Sequence, residues 1–163
     1  ISMDAVIKQA IALRKTGEFA QSRALLTPLL RDNYTGGVAA LHIAWSYDNE
    51  GRESDAVSYY QAALSCPLTK SERFDALFGL ASTQRSLGRY DEALTTFELT
   101  MTEYPDAAEV IPFYAMCLYN VGRPKEAVSR LLTLLVSTTD LDAFKQYQRA
   151  ILLYADDLDK TWD

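Results

Sequence analysis

Apolar residues recur along this chain at the three- and four-residue spacing of helices with one buried stripe. The pattern is clearest from Phe74 to Pro105, where two helix-like runs of similar length flank a short turn, Leu87-Gly88-Arg89-Tyr90. Asp91-Glu92-Ala93 then leads into the second run with a small residue. This reads as a helix-turn-helix hairpin. One hairpin cannot bury both of its apolar faces, so it must stack on others of its kind.

The turn signal repeats at Gly17, Gly51, Gly88 and Gly122, with spacings of 34, 37 and 34 residues. Five positions after each glycine stands a small residue: Ser22, Ala56, Ala93 and Ala127. Four positions later comes a large apolar or aromatic one: Leu26, Tyr60, Phe97 and Leu131. An ordinary bundle with coincidental glycines would not hold this phase. Helices are expected at 4–15 and 20–30, then 38–50 and 53–65, then 70–86 and 90–103. A seventh should end at Asn120 and an eighth should cover 125–136. Pro28 should kink or shorten the second helix, and Pro112 should delay or bend the seventh. Thr69 with Glu72 fits a capping box, and Asp106 with Glu109 suggests another cap. Beyond these, 140–158 reads as one further helix with Leu141, Phe144, Ile151 and Leu158 on a stripe. It takes the place of a fifth first-helix and closes the array with Asp142, Lys145, Gln148, Arg149 and Asp156 as its wet face. The acidic tail from Asp156 to Asp163 is expected to fray. Ile1-Ser2 ahead of Met3 fits extra residues before a native start as well as trimming of a longer protein.

The period and the residues that fill it resemble the tetratricopeptide repeat. The third unit matches at Leu80, Ala81, Gly88, Tyr90, Ala93, Phe97 and Pro105. The second matches at Ala44, Tyr47, Gly51, Ala56 and Tyr60, and the fourth at Tyr114, Ala115, Gly122 and Ala127. The first is sparser, with Ala10, Leu13, Gly17 and Phe19. The resemblance covers about residues 3 to 136. It implies an all-α fold, a right-handed superhelical solenoid of stacked antiparallel hairpins. The whole chain, 1–163, would then be a single domain with repeats at about 3–36, 37–70, 71–105 and 106–137 and a capping helix at 140–158.

Composition adds exclusions. Apolar residues make up 48% and charged residues 23% of 163, an ordinary folded balance. The net charge of −6 comes with no basic stripe, which argues against nucleic acid. No apolar run approaches the ~20 residues of a membrane span, and no secretory signal opens the chain. Cys66 and Cys117 stand far apart and read as two reduced thiols, so a cytoplasmic location is expected. The chain has one histidine, His42, and no second His or Cys at metal-ligand spacing. No nucleophile elbow, phosphate loop or dinucleotide fingerprint occurs. No enzymatic activity, metal or cofactor is expected.

What the resemblance implies instead is a concave wall lined by the first helix of each hairpin. The family's lining positions fall on Ile7, Ile11 and Arg14 in the first unit, and on Leu41, His42 and Trp45 in the second. They fall on Phe78 and Arg85 in the third, and on Phe113, Met116 and Tyr119 in the fourth. Apolar and aromatic residues collected on a surface mark partner sites. Packing of these side chains against one another in a tight superhelix is the competing reading. Chaperone-binding members hold a C-terminal carboxylate with a clamp of Lys, Asn and Arg. The clamp positions here read Ile7, Ile11, His42, Asp75 and Gly79, so an acidic C-terminal tail is not the expected ligand. The expected function is a scaffold or adaptor that takes a peptide or amphipathic helix in its groove. The alternative is self-association as a homodimer with no separate ligand.

Overall fold

Each of the four recurring glycines ends a helix in the left-handed region, with φ of +83° at Gly17, +82° at Gly51, +76° at Gly88 and +83° at Gly122. The hydrogen bonds around them repeat as well. The Gly51 N–H donates to the Asp48 carbonyl at 3.0 Å, and the Arg52 N–H to the Tyr47 carbonyl at 2.8 Å. Glu18 donates in the same way to Leu13, Arg89 to Gln84 and Arg123 to Leu118. These bonds satisfy carbonyls that a helix end leaves bare, and glycine takes the required φ without a Cβ clash.

The computed structural model describes residues 2–162; Ile1 of the Ile1-Ser2 pair and Asp163 of the acidic tail lie outside the described residues. The glycines separate α1 (Met3–Lys15) from α2 (Phe19–Leu26), and α3 (Gly36–Glu50) from α4 (Glu53–Leu64). They also separate α5 (Lys70–Ser86) from α6 (Tyr90–Glu103), and α7 (Ile111–Asn120) from α8 (Pro124–Thr138). Among the described residues all regular structure is helical, with helices packed in neighbouring pairs.

Both prolines act where the sequence places them. The α-helical geometry of α2 stops at Leu26, and Thr27–Arg31, holding Pro28, continues as a 3-10 helix. A 3-10 turn, Ala108–Val110, precedes α7, and Pro112 sits in the first turn of that helix, where its missing N–H costs nothing. The Thr69 capping box is present: the Glu72 N–H donates to Thr69 Oγ1 at 3.2 Å and the Thr69 N–H to Glu72 Oε1 at 2.8 Å. The cap expected from Asp106 and Glu109 is not formed, because Ala107 occupies the position before the 3-10 turn and makes no side-chain cap.

The chain divides inside α6 into two compact units, one ending at Thr96 and the other beginning at Phe97. In the first, Leu26 and Ile43 pack with Ala10 and Ala39, while Leu41, Tyr60 and Leu80 pack with a set of alanines. Each large apolar side chain fully buried in this way contributes about 1.5–3 kcal/mol. In the second, the buried set includes Phe97, Val110, Tyr114, Leu118 and Val136.

The C-terminal segment departs from expectation in three ways. It is not one helix over 140–158 but α9 (Asp142–Lys145) and α10 (Gln148–Asp156), with a break at Gln146-Tyr147. Nor does α10 cover the α8 position that the next first-helix buries in earlier hairpins: Leu131 stays 41% exposed. α10 packs on α8, with Ser129 and Ala155 lining a common cleft. Leu132 and Val136 of α8 stand where earlier hairpins carry exposed polar residues, Gln61 in α4 and Ser65 at its end, and Glu98 and Thr102 in α6. Val136 is 4% exposed, so apolar burial extends to that side of α8. Finally, the acidic tail is fastened rather than frayed: Lys125 Nζ lies 3.3 Å from Asp157 Oδ1 and 2.9 Å from Asp159 Oδ2. These pairs are exposed, so they fix direction more than they stabilise.

Candidate functional site

In the first unit the lining positions fall on α1, α3 and α5. Trp45 is half-buried on α3 and held from two sides. The Arg14 guanidinium of α1 lies 5.6 Å from its ring centroid, and the His42 ring meets it edge-on at 5.0 Å. His42 and Trp45 share a helix face because they are three residues apart. Arg14 Nη1 also donates to Asn49 Oδ1 at 3.0 Å, which fixes the guanidinium over the indole. Burial lowers the pKa of Arg14, an effect that the nearby Tyr60 opposes. Burial also depresses the pKa of His42 to about 4; the Arg14 charge adds to this and Glu72 opposes it. The imidazole is therefore neutral at pH 7, and its buried Nδ1 has no hydrogen-bond partner.

One turn further along α3 stands Asp48. The Tyr60 hydroxyl of α4 donates to Asp48 Oδ2 at 2.5 Å, and Thr83 Oγ1 of α5 donates to the same atom at 2.8 Å. Three helices thus meet on one carboxylate. Burial raises the Asp48 pKa, and the two donated bonds pull against that rise. Tyr60 is pushed up by burial and then by the hydrogen bond it donates to Asp48 and that carboxylate's charge, so the phenol keeps its proton. Gly79 makes room for this contact: a Cβ there would lie 2.6 Å from Tyr60 Cε1.

The sequence-predicted residues separate into groups. Ile11, Arg14, His42, Trp45, Phe78 and Arg85 are half-buried in the first unit, and the Phe78 ring lies 5.7 Å from that of Phe74. Ile7 is half-buried and packs on the Leu26–Ile43 cluster. Leu41 is corrected: at 1% exposure it belongs to the core, packed among Ala44, Ala56 and Tyr60. It stands one residue before His42, a rotation of about 100° that turns it into the hairpin. In the second unit Phe113, Met116 and Tyr119 form an exposed row on α7, at 37%, 39% and 68%.

Sequence reasoning missed the role of Tyr60, which stands where other units have Leu or Phe. Its hydroxyl was the signal, since a buried phenol needs a partner. Also missed was a second exposed row on α8, Val128, Leu131 and Leu135. Its signal lay in Leu131 to Val136, apolar on more faces than one packing neighbour can cover.

Among the described residues no group of His, Cys, Asp or Glu is arranged to hold a metal ion, and no helix is long and apolar enough to cross a membrane. No curated protein matches the chain. The model of a protein family described as Tetratrico peptide repeat matches residues 37–158. The match takes in α3 to α10, including the segment beyond residue 136, and leaves the first hairpin outside it. With three hairpins in phase inside that range and a fourth of the same geometry before it, the chain belongs to the tetratricopeptide repeat family.

Proposed function

We propose that this protein is a scaffold whose first-helix faces bind an apolar or amphipathic segment of another polypeptide. The family implies a protein–protein interaction role. The observation that carries the finer reading is the Arg14–Trp45–His42 stack, an indole presented half-open by two restrained neighbours. A pre-set aromatic flanked by a fixed cation suits an anchor, since little side-chain freedom is lost when a partner covers it. Ile11, Phe78 and Arg85 extend the reading in the first unit, and Phe113, Met116 and Tyr119 in the second. The role is non-catalytic and the location cytoplasmic under this reading.

The test is affinity capture with wild type and with the Trp45→Ala/Phe78→Ala variant, read by quantitative mass spectrometry. Proteins retained by the wild type should be lost with the variant while far-UV helicity persists. Equal retention, or loss of helicity together with binding, refutes the assignment. Self-association is the second reading, favoured by the exposed Leu152, Leu153 and Tyr154 of α10. Light scattering at tens of micromolar would show a dimer if it holds and a monomer if it does not.

A further inference from the structure

Of the seventeen exposed large apolar side chains among the described residues, all but Met3, Tyr34 and Tyr90 lie in the second unit. Three of them form a row on α8 with a specific register. Val128, Leu131 and Leu135 stand six, nine and thirteen residues after the turn glycine. In α4 those positions are Val57, Tyr60 and Leu64, with Val57 and Tyr60 at 4% and 1% exposure under α5. In α2 the middle one is Leu26, at 0% under α3, and in α6 it is Phe97, at 0% beside the Tyr114 ring. In α8 the three are 44%, 41% and 39% exposed. The face on which each earlier hairpin receives the next helix is open here: α10 meets α8 on the side of Ser129, about 100° around the helix from Val128. Tyr119 on α7 continues that face. It holds the register of Asp48, which with Tyr60 touches α5 in the first unit.

We infer that this open face of α7 and α8 is a docking slot for an amphipathic helix of another polypeptide, seated as α5 sits on α4. The helices in the two slots of the first unit specify its chemistry. They present Ala39, Ile43 and Ser46 from α3, and Ala76, Leu80 and Thr83 from α5, all buried. The stripe is small, large apolar, small, at i, i+4 and i+7, with Gly79 added where a bulky ring must pass. A second copy fits poorly by either route. The same register on α1 reads Ala5, Gln9 and Ala12, which would bury an amide where the others bury Ile or Leu. Two α7–α8 faces pressed together would meet with Tyr119, Val128, Leu131 and Leu135 on both sides and no small residue between them. The slot goes beyond the inner-face reading, which does not involve Leu131, so the two can fail separately.

The probe is a fluorescent synthetic peptide with the α5 sequence, Lys70–Ser86, locked as a helix by a side-chain lactam on its outer face. It is titrated with the full chain and read by anisotropy. Saturable binding is expected. Leu131→Asp, at an exposed site that should leave helicity intact, should weaken it at least about tenfold. Val128→Lys should do likewise, and Trp45→Ala/Phe78→Ala should leave it unchanged. A peptide with Leu80→Gln, copying Gln9, should not bind. Failure to saturate at several hundred micromolar, or affinity indifferent to Leu131→Asp, overturns the inference. So does light scattering that shows a wild-type dimer made monomeric by Leu131→Asp, since a second copy would then fill the slot.

Discussion

The clearest physical consequence of the Arg14–Trp45–His42 stack is a loss of stability on mild acidification. His42 is the chain's one histidine, and its pKa falls from the usual 6.5 to about 4. Burial is the main cause, with the Arg14 charge of α1 adding to it and Glu72 of α5 opposing. At pH 7 the imidazole is neutral in the folded chain and mostly neutral in the unfolded one, so it contributes little to pH dependence there. Between pH 6.5 and about 4 the unfolded chain binds a proton that the folded chain refuses, and stability falls as the pH falls. The gap is worth about 1.4 kcal/mol for each tenfold change in proton affinity, or about 2 to 3 kcal/mol once water at the half-open face is allowed for. Urea melts at pH 7 and pH 4.5 of wild type and His42→Gln isolate this from the carboxylates, which titrate in both proteins. The wild type should lose about 2 kcal/mol more than the variant over that interval. A proton NMR titration of the single imidazole gives the midpoint directly. A midpoint at 6 or above, or the same pH slope in both proteins, would refute the buried stack.

Three further substitutions follow from the packing. Gly79→Ala places a Cβ 2.6 Å from a Tyr60 ring that is fully buried and tied to Asp48; overpacking of about 1–3 kcal/mol should outweigh a helix-propensity gain of about 1 kcal/mol. Calorimetry should show a lower Tm, and an unchanged or raised one counts against the contact. Tyr60→Phe removes one of the two donors on Asp48 and should cost about 1.5–3 kcal/mol in a urea melt, whereas a loss below about 0.5 kcal/mol would mean the bond is not made in solution. Thr69→Ala breaks the capping box at the start of α5 and should cost about 1 kcal/mol, read in the same melt.

Much of the fold was legible because its signals are local. A glycine at the repeat's turn position, Gly17, Gly51, Gly88 or Gly122, ends its helix in the left-handed region, and a Thr69-Glu72 pair caps the helix that follows. Pro28 and Pro112 act through a missing N–H that no distant contact restores. The candidate site was legible only in part, since lining depends on rotation about a helix. Leu41 and His42 are adjacent, yet one is core and the other sits half-buried beside Trp45. The placement of α10 was harder still, because a helical stripe says that a face is covered but not by which side of the neighbour. The clue was comparative: α8 carries Leu132 and Val136 where the second hairpin carries Gln61 and Ser65.

The central claim is that the first-helix aromatics are the surface another polypeptide covers. Hydroxyl-radical footprinting of the protein alone and with a partner recovered by wild-type capture tests it most directly, since Trp, Tyr, Phe and Met side chains report oxidation individually. Trp45 and Phe78 should be protected several-fold in the complex, while Tyr34, 91% exposed and away from the stack, should oxidise as before. Unchanged oxidation of Trp45 and Phe78 in a saturated complex would contradict the account.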